Sequence, residues 1–137
     1  VTYDSIKFLK KLTVFSGYVP DMKWCPMVET VEELKFDNAN QYHIDLFSKL
    51  KCVHLQNNMH VKYLNHLINT LEVLHCEDSS IIDDGIADLI NIHILWIDDC
   101  EKIYNINHMK KLKYLSCVDS KLPFKTDAIT NLICKKY

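Results

Sequence analysis

"LEVLHCEDSSIIDDGIADLINIHILWIDDC", residues 71–100, states one apolar spacing twice. Leu71, Leu74, Cys76 and Ser79 make the first copy; Ile92, Leu95, Ile97 and Cys100 make the second. Working outward, the same spacing recurs at Leu50, Val53, Leu55, Asn58 and at Leu112, Leu115, Cys117, Ser120. Toward the N-terminus it recurs at Val31, Leu34, Phe36, Ala39 and at Leu9, Leu12, Val14, Gly17. First positions at 9, 31, 50, 71, 92 and 112 are separated by 22, 19, 21, 21 and 20 residues. Of 16 leucines, 10 fall on the 18 apolar repeat positions, where uniform scatter would place roughly 2. The period therefore belongs to the chain and is not a by-product of apolar content.

The spacing has a physical reading. Two apolar residues separated by one point to the same face of a strand, and the residue between them points to the other. A small residue follows where the chain must turn inward against its neighbours. No single repeat can bury its apolar face alone, so stacked repeats share one core. Between strands, Val61, Leu64 and Leu67 in "MHVKYLNHLINT", and Ile82, Ile86, Leu89 and Ile90 in "IIDDGIADLIN", suit short helices or 3-10 turns. Asp83 and Asp84 stand where carboxylates favour a helix N-terminus. Thr126 is placed to cap a C-terminal helix carrying Ile129, Leu132 and Ile133.

"LKCVHLQNN" (50–58) and the end of "INIHILWIDDC" (90–100) resemble the leucine-rich repeat family, whose pattern is LxxLxLxxN or LxxLxLxxC. The resemblance extends over roughly residues 6–134. It implies an α/β fold, a leucine-rich-repeat solenoid with a parallel concave β-sheet and short helical or 3-10 convex segments. The expected organisation is a single domain, 1–137, of about six repeats with residues 121–137 as a C-terminal cap. Only Asn58 and Cys100 carry the family's usual ninth residue; Gly17, Ala39, Ser79 and Ser120 are merely small. The expectation is patchy hydrogen bonding along that turn and irregular curvature. The short stretch before the first repeat suggests that something covers the N-terminal end, with Phe15 and Trp24 in structural roles there.

Composition narrows the function. With 16 basic and 18 acidic residues the net charge is −2, which disfavours a protein held to duplex nucleic acid by bulk phosphate attraction. All the strong bases are lysines, a bias that points to an A+T-rich genome and leaves out the residue best suited to bidentate recognition of carboxylate or phosphate. No apolar run approaches the length of a membrane span, and the N-terminal stretch lacks a signal-peptide core. The 6 cysteines include no CxxC pair, and Cys76, Cys100 and Cys117 fall on interior repeat positions, where cysteine acts as a small apolar residue. Three disulfides in a secreted chain are the competing reading. The preferred one is a reducing compartment, the cytoplasm or a virion.

If the strands lie parallel, the outward positions form a grid. Third positions are Lys11, Glu33, Cys52, Val73, Ile94 and Tyr114, and fifth positions are Thr13, Lys35, His54, His75, Trp96 and Ser116. Seventh positions are Phe15, Asp37, Gln56, Glu77, Asp98 and Val118, and eighth positions are Ser16, Asn38, Asn57, Asp78, Asp99 and Asp119. Two features separate out: an apolar and aromatic patch of Val73, Ile94, Trp96, Tyr114 and Val118, and an acidic lip of Glu77, Asp78, Asp98, Asp99 and Asp119. An apolar centre with a charged rim is the usual organisation of a protein-binding surface, and Trp and Tyr are favoured anchors. The partner expected is a basic protein that offers an apolar anchor. A solvated edge, with Trp96 packed beneath a terminal segment, is the bland alternative.

His54 and His75 should be neighbours with Cys52 and Glu77 close by, a donor set that zinc accepts. Surface histidines bonded to water or a partner are preferred, because no tight ligand spacing supports a metal. No catalytic residue and no cofactor is assigned either. Gly17 and Gly85 are the only glycines, so a glycine-rich phosphate loop is absent, and GxSxG and HExxH do not occur. The expected role is a non-catalytic protein–protein interaction module using the concave face. A structural subunit of a larger assembly, such as a virus particle, is the rival; the resemblance also allows the substrate-recognition part of a ubiquitin-ligase adaptor. The convex face, with Lys62 and His66, is a further surface to weigh.

Overall fold

The computed structural model describes residues 29–35 and 39–122, together with the backbone of strands at 14–16 and 131–133. Seven short strands form one all-parallel sheet: β1 (Val14–Ser16), β2 (Glu33–Lys35), β3 (Cys52–His54), β4 (Val73–His75), β5 (Ile94–Trp96), β6 (Tyr114–Ser116) and β7 (Asn131–Ile133). Their order in the sheet is their order in the chain. Each connection therefore leaves one strand and returns to start the next beside it, which is the α/β arrangement that parallel pairing requires. The connections carry α1 (Gln41–Asp45), a 3-10 turn (Asn65–Leu67) and α2 (Asp83–Ile86). Among the described residues, no helix is long and apolar enough to cross a membrane.

Register explains the core. Leu34, Val53, Leu74, Leu95 and Leu115 pair in one continuous row across β2 to β6, and all are buried. Every described first and sixth position is buried as well, from Val31 and Leu50 to Leu112 and Cys117. Burying one large apolar side chain contributes about 1.5–3 kcal/mol, and the row with its flanks supplies roughly half of the buried apolar residues among those described. Val61, Leu64 and Leu67 close the core from the other side, as their spacing predicts. On the next connection the expected face is corrected. Ile81, Ile86 and Leu89 are buried, while Ile82 is half-buried and Ile90 is exposed. A helix of four residues is too short to carry one apolar stripe from 82 to 90.

Both ends of the sheet depart from expectation. Phe15, not Leu12, pairs with Leu34, so the first repeat reads Leu12, Phe15, Gly17 and begins at 12 instead of 9. Its spacing to Val31 becomes 19, equal to the next interval from Val31 to Leu50. Leu9, Leu12 and Phe15 recur every three residues, so two registers are written over each other, and strand pairing selects the second. Val14 and Ser16 thus replace Lys11 and Thr13 in the grid. At the other end, Leu132 pairs with Leu115 in a strand, where a capping helix was expected. Pairing satisfies the backbone groups that β6 would otherwise present at a sheet edge. Thr126, Ile129, Trp24 and the N-terminal cover lie outside the described residues.

The turns after β3, β4, β5 and β6 are more regular than the sequence suggests. Asn57, Asp78, Asp99 and Asp119 all have positive φ, between 46° and 57°. Asn and Asp tolerate this left-handed conformation best among residues with a Cβ. The strand ladder also continues into the turn, through Asn57 N–H to Glu77 O, Asp78 N–H to Asp98 O and Asp99 N–H to Val118 O. Expected gaps in side-chain bonding at the ninth position do not appear at 58, 79, 100 or 120. Asn58 Nδ2 donates to the Ala39 carbonyl at 2.9 Å, and its Oδ1 accepts from the N–H groups of His60 and Val61. Ser79 Oγ accepts from Ile81 N–H, Cys100 Sγ donates to the Cys76 carbonyl, and Ser120 Oγ donates to the Cys117 carbonyl. One buried side-chain oxygen among the described residues, Thr70 Oγ1, has no partner. Cys52, Cys76 and Cys100 are free thiols, but Cys117 is disulfide-bonded, which corrects its reading as a simple apolar thiol.

Polar side chains stitch neighbouring connections together. Asn40 and His43 cap α1 reciprocally. Gln41 Oε1 accepts from the N–H groups of Lys62 and Tyr63, and Asp83 Oδ1 accepts from those of Tyr104 and Asn105. Asp83 thus does more than favour its own helix end. Gly85 is required by close approach: a Cβ there would run into the Lys62 carbonyl, and Leu64 N–H already donates to Gly85 O at 2.7 Å. Gly85→Ala should therefore destabilise by about 1–3 kcal/mol, read as a lowered urea midpoint; an unchanged midpoint would show that the two segments part freely.

Candidate functional site

The sheet face opposite the core is built by the third and fifth strand positions, because alternate side chains point oppositely. One row runs Glu33, Cys52, Val73, Ile94, Tyr114; the parallel row runs Lys35, His54, His75, Trp96, Ser116. Val73 and Ile94 are half-buried, while Trp96 at 37% and Tyr114 at 46% are exposed enough to meet a partner. Ile94 lies in register with both Val73 and Tyr114, and Trp96 sits one row away. Val118 is half-buried beyond the end of β6, its N–H donating to Asp98. The expected patch is thus assembled on one face, with Val118 at its margin.

The acids divide into different roles. Asp98 accepts from Ser116 Oγ at 2.8 Å through each carboxylate oxygen and from Val118 N–H at 2.7 Å. It ties β5 to β6 and is not an unengaged rim charge, which corrects its place in the lip. Glu77 accepts from Gln56 Nε2. Asp78, Asp99 and Asp119 are exposed at the left-handed turns. They have a backbone reason to be there, and together with Glu101 they line an open depression of about 540 Å³ in which Lys102 is the one cation among the described residues.

Sequence reasoning placed His54 beside His75 with Cys52 close by, but did not anticipate the burial of His75 against Trp96 or the approach of Glu33. Their ring centroids are 4.4 Å apart, and the His75 and Trp96 rings stand perpendicular, with centroids 3.6 Å apart and an interplanar angle of 89°. His75 is only 7% exposed. Burial, and secondarily the nearby His54, lowers its pKa from 6.5 to about 4, so it is neutral at physiological pH. The run of three ring-bearing residues at successive fifth positions, His54, His75 and Trp96, is the sequence signal that could have revealed this stack.

On the other side of His54, Cys52 Sγ lies 3.3 Å from His54 Nε2, and Glu33 Oε1 lies 3.7 Å from the same nitrogen. The expected carboxylate was Glu77. Glu33 takes that place because β2 and β3 pair Glu33 with Cys52, while Glu77 lies past the end of β4 and engages Gln56. Burial, and then the Glu33 carboxylate, raises the Cys52 thiol to about 11. Without a cation it is protonated at neutral pH. Comparison with known proteins returns no family model, no curated relative and no solved structure that matches this chain.

Proposed function

We propose that the chain is a leucine-rich-repeat solenoid acting as a non-catalytic protein-binding module, with the outer face of its sheet as the recognition surface. The observation that carries this reading is the exposure of Trp96 and Tyr114 beside Val73 and Ile94, on a face whose strands are held in unbroken register. Large aromatic side chains on a rigid sheet lose little conformational freedom when they bind, and such residues dominate interface energetics. The depression lined by Asp78, Asp99, Glu101 and Asp119 lies near enough to orient a basic partner and to make association salt-dependent.

The test compares affinity capture from the native source for the wild type and a folded Trp96→Ala, Tyr114→Ala double variant, read by quantitative mass spectrometry. Proteins recognised through this face should fall at least about 10-fold in the variant. Raising the salt during capture should reduce the same proteins in the wild type. Recovery of one large assembly with both chains, at every salt concentration, would replace this reading with that of a structural subunit.

A further inference from the structure

We propose that Glu33, Cys52 and His54 form a zinc-binding site on the outer face of the sheet. Their ligand atoms all lie within 4.8 Å of one another, and the two separations from His54 Nε2 are 3.3 Å to sulfur and 3.7 Å to the carboxylate oxygen. A tetrahedral zinc with its usual bond lengths sets its ligands roughly 3.3–3.6 Å apart. Both separations from His54 Nε2 lie close to that range, and binding would draw the sulfur and the carboxylate, which lie within 4.8 Å of each other, together around the ion.

Three features of the fold produce this arrangement. The β2/β3 register sets Glu33 opposite Cys52, and the pleat places His54 two residues on from Cys52 on the same face. His75 backs the His54 ring at 4.4 Å and limits its rotation. The His54 and Glu33 side chains keep 20% and 45% of their exposure, so an ion reaches them from solvent.

Donor chemistry selects the metal class. A thiolate, an imidazole and a carboxylate suit zinc, whereas calcium and magnesium take oxygen ligands. Zinc with one thiolate and one carboxylate is locally neutral, which removes the unfavourable juxtaposition of Glu33 with an ionised Cys52. Binding would release the thiol proton to solvent. Three protein donors leave a fourth tetrahedral position for water or a partner's side chain. The exposed Lys35, in register with His54, is the nearby like charge.

The experiment uses the full chain, freed of metal with a chelator and titrated with Zn²⁺ against a chromophoric competitor, then with Co²⁺ as a spectroscopic substitute. One equivalent of zinc should bind. Co²⁺ should produce a thiolate-to-metal charge-transfer band in the near ultraviolet together with the visible bands of tetrahedral cobalt. Cys52→Ser should abolish the charge-transfer band, and His54→Gln and Glu33→Gln should each weaken zinc by at least about 10-fold. Glu33→Gln is isosteric at a half-buried position on the solvent-facing side of the sheet and keeps the test valid if either other variant fails to fold. His93→Gln, at a histidine paired with Glu72 elsewhere, should bind like the wild type. Equal zinc affinity in the wild type and Glu33→Gln, or a charge-transfer band that survives Cys52→Ser, would overturn the site.

Discussion

Leu95→Ala should lower the unfolding free energy by about 2–5 kcal/mol, the largest effect expected of any single substitution considered for this chain. Leu95 is fully buried in β5 and is held in register between Leu74 of β4 and Leu115 of β6. Removing its side chain forfeits the transfer energy of the lost groups and leaves a cavity that neighbours on both sides cannot fill without disturbing the ladder. Location adds a second consequence. Strands pair only with their neighbours in sequence, so a defect at β5 loosens the connection between β1–β4 and β6–β7. Urea denaturation should show the shifted midpoint, and amide exchange should accelerate most in β5 and β6. Ile90→Ala is the control: Ile90 is half exposed and should change stability by no more than about 0.5 kcal/mol. Similar losses for the two variants would contradict the assignment of Leu95 to the shared core.

Acidification should produce the second large effect through His75. Its pKa is about 4 in the folded chain against an ordinary 6.5, so below pH 6.5 the unfolded chain takes up a proton that the folded chain does not. Stability from this group is therefore complete above pH 6.5, declines as the pH falls toward 4, and is lost below that. A full shift of this size corresponds to about 3 kcal/mol. The physical cause is the loss of hydration around a ring enclosed by Trp96 and His54, with a smaller electrostatic contribution from the neighbouring His54. Glu33 faces His54 from β2. Urea midpoints from pH 7 to pH 4, with chelator present, would be compared for the wild type and His75→Gln. The wild-type curve should fall more steeply, because the variant lacks the titrating ring while every carboxylate is common to both. Parallel curves would show that His75 gains solvent on protonation at little cost.

The repeat made the interior legible. Alternation about Leu34, Val53, Leu74, Leu95 and Leu115 assigned these residues to the core, and every one of them is buried there. The same alternation placed Val73, Ile94, Trp96 and Tyr114 together on the outer face. Asp98 was legible as an outward acid but not as a bridge to Ser116 and Val118, since no local pattern reveals which donors lie on the next strand. The aspartates at 78, 99 and 119 looked like a charge signal alone. Their positive φ adds a steric reason for the residue type that the sequence does not display.

What the sequence by itself determined was the period of the fold and which side of each strand is apolar. Both are local properties, carried by a strand's two-residue alternation and by a recurrence of about 20 residues. Only the tertiary structure decided which neighbours meet. It chose Phe15 over Leu12 against Leu34, made residues 131–133 a strand, and brought Glu33 rather than Glu77 to Cys52 and His54. The reason is that a contact between strands depends on register. Several registers satisfy the same apolar pattern at the chain's ends, and backbone pairing of one strand with the next selects among them.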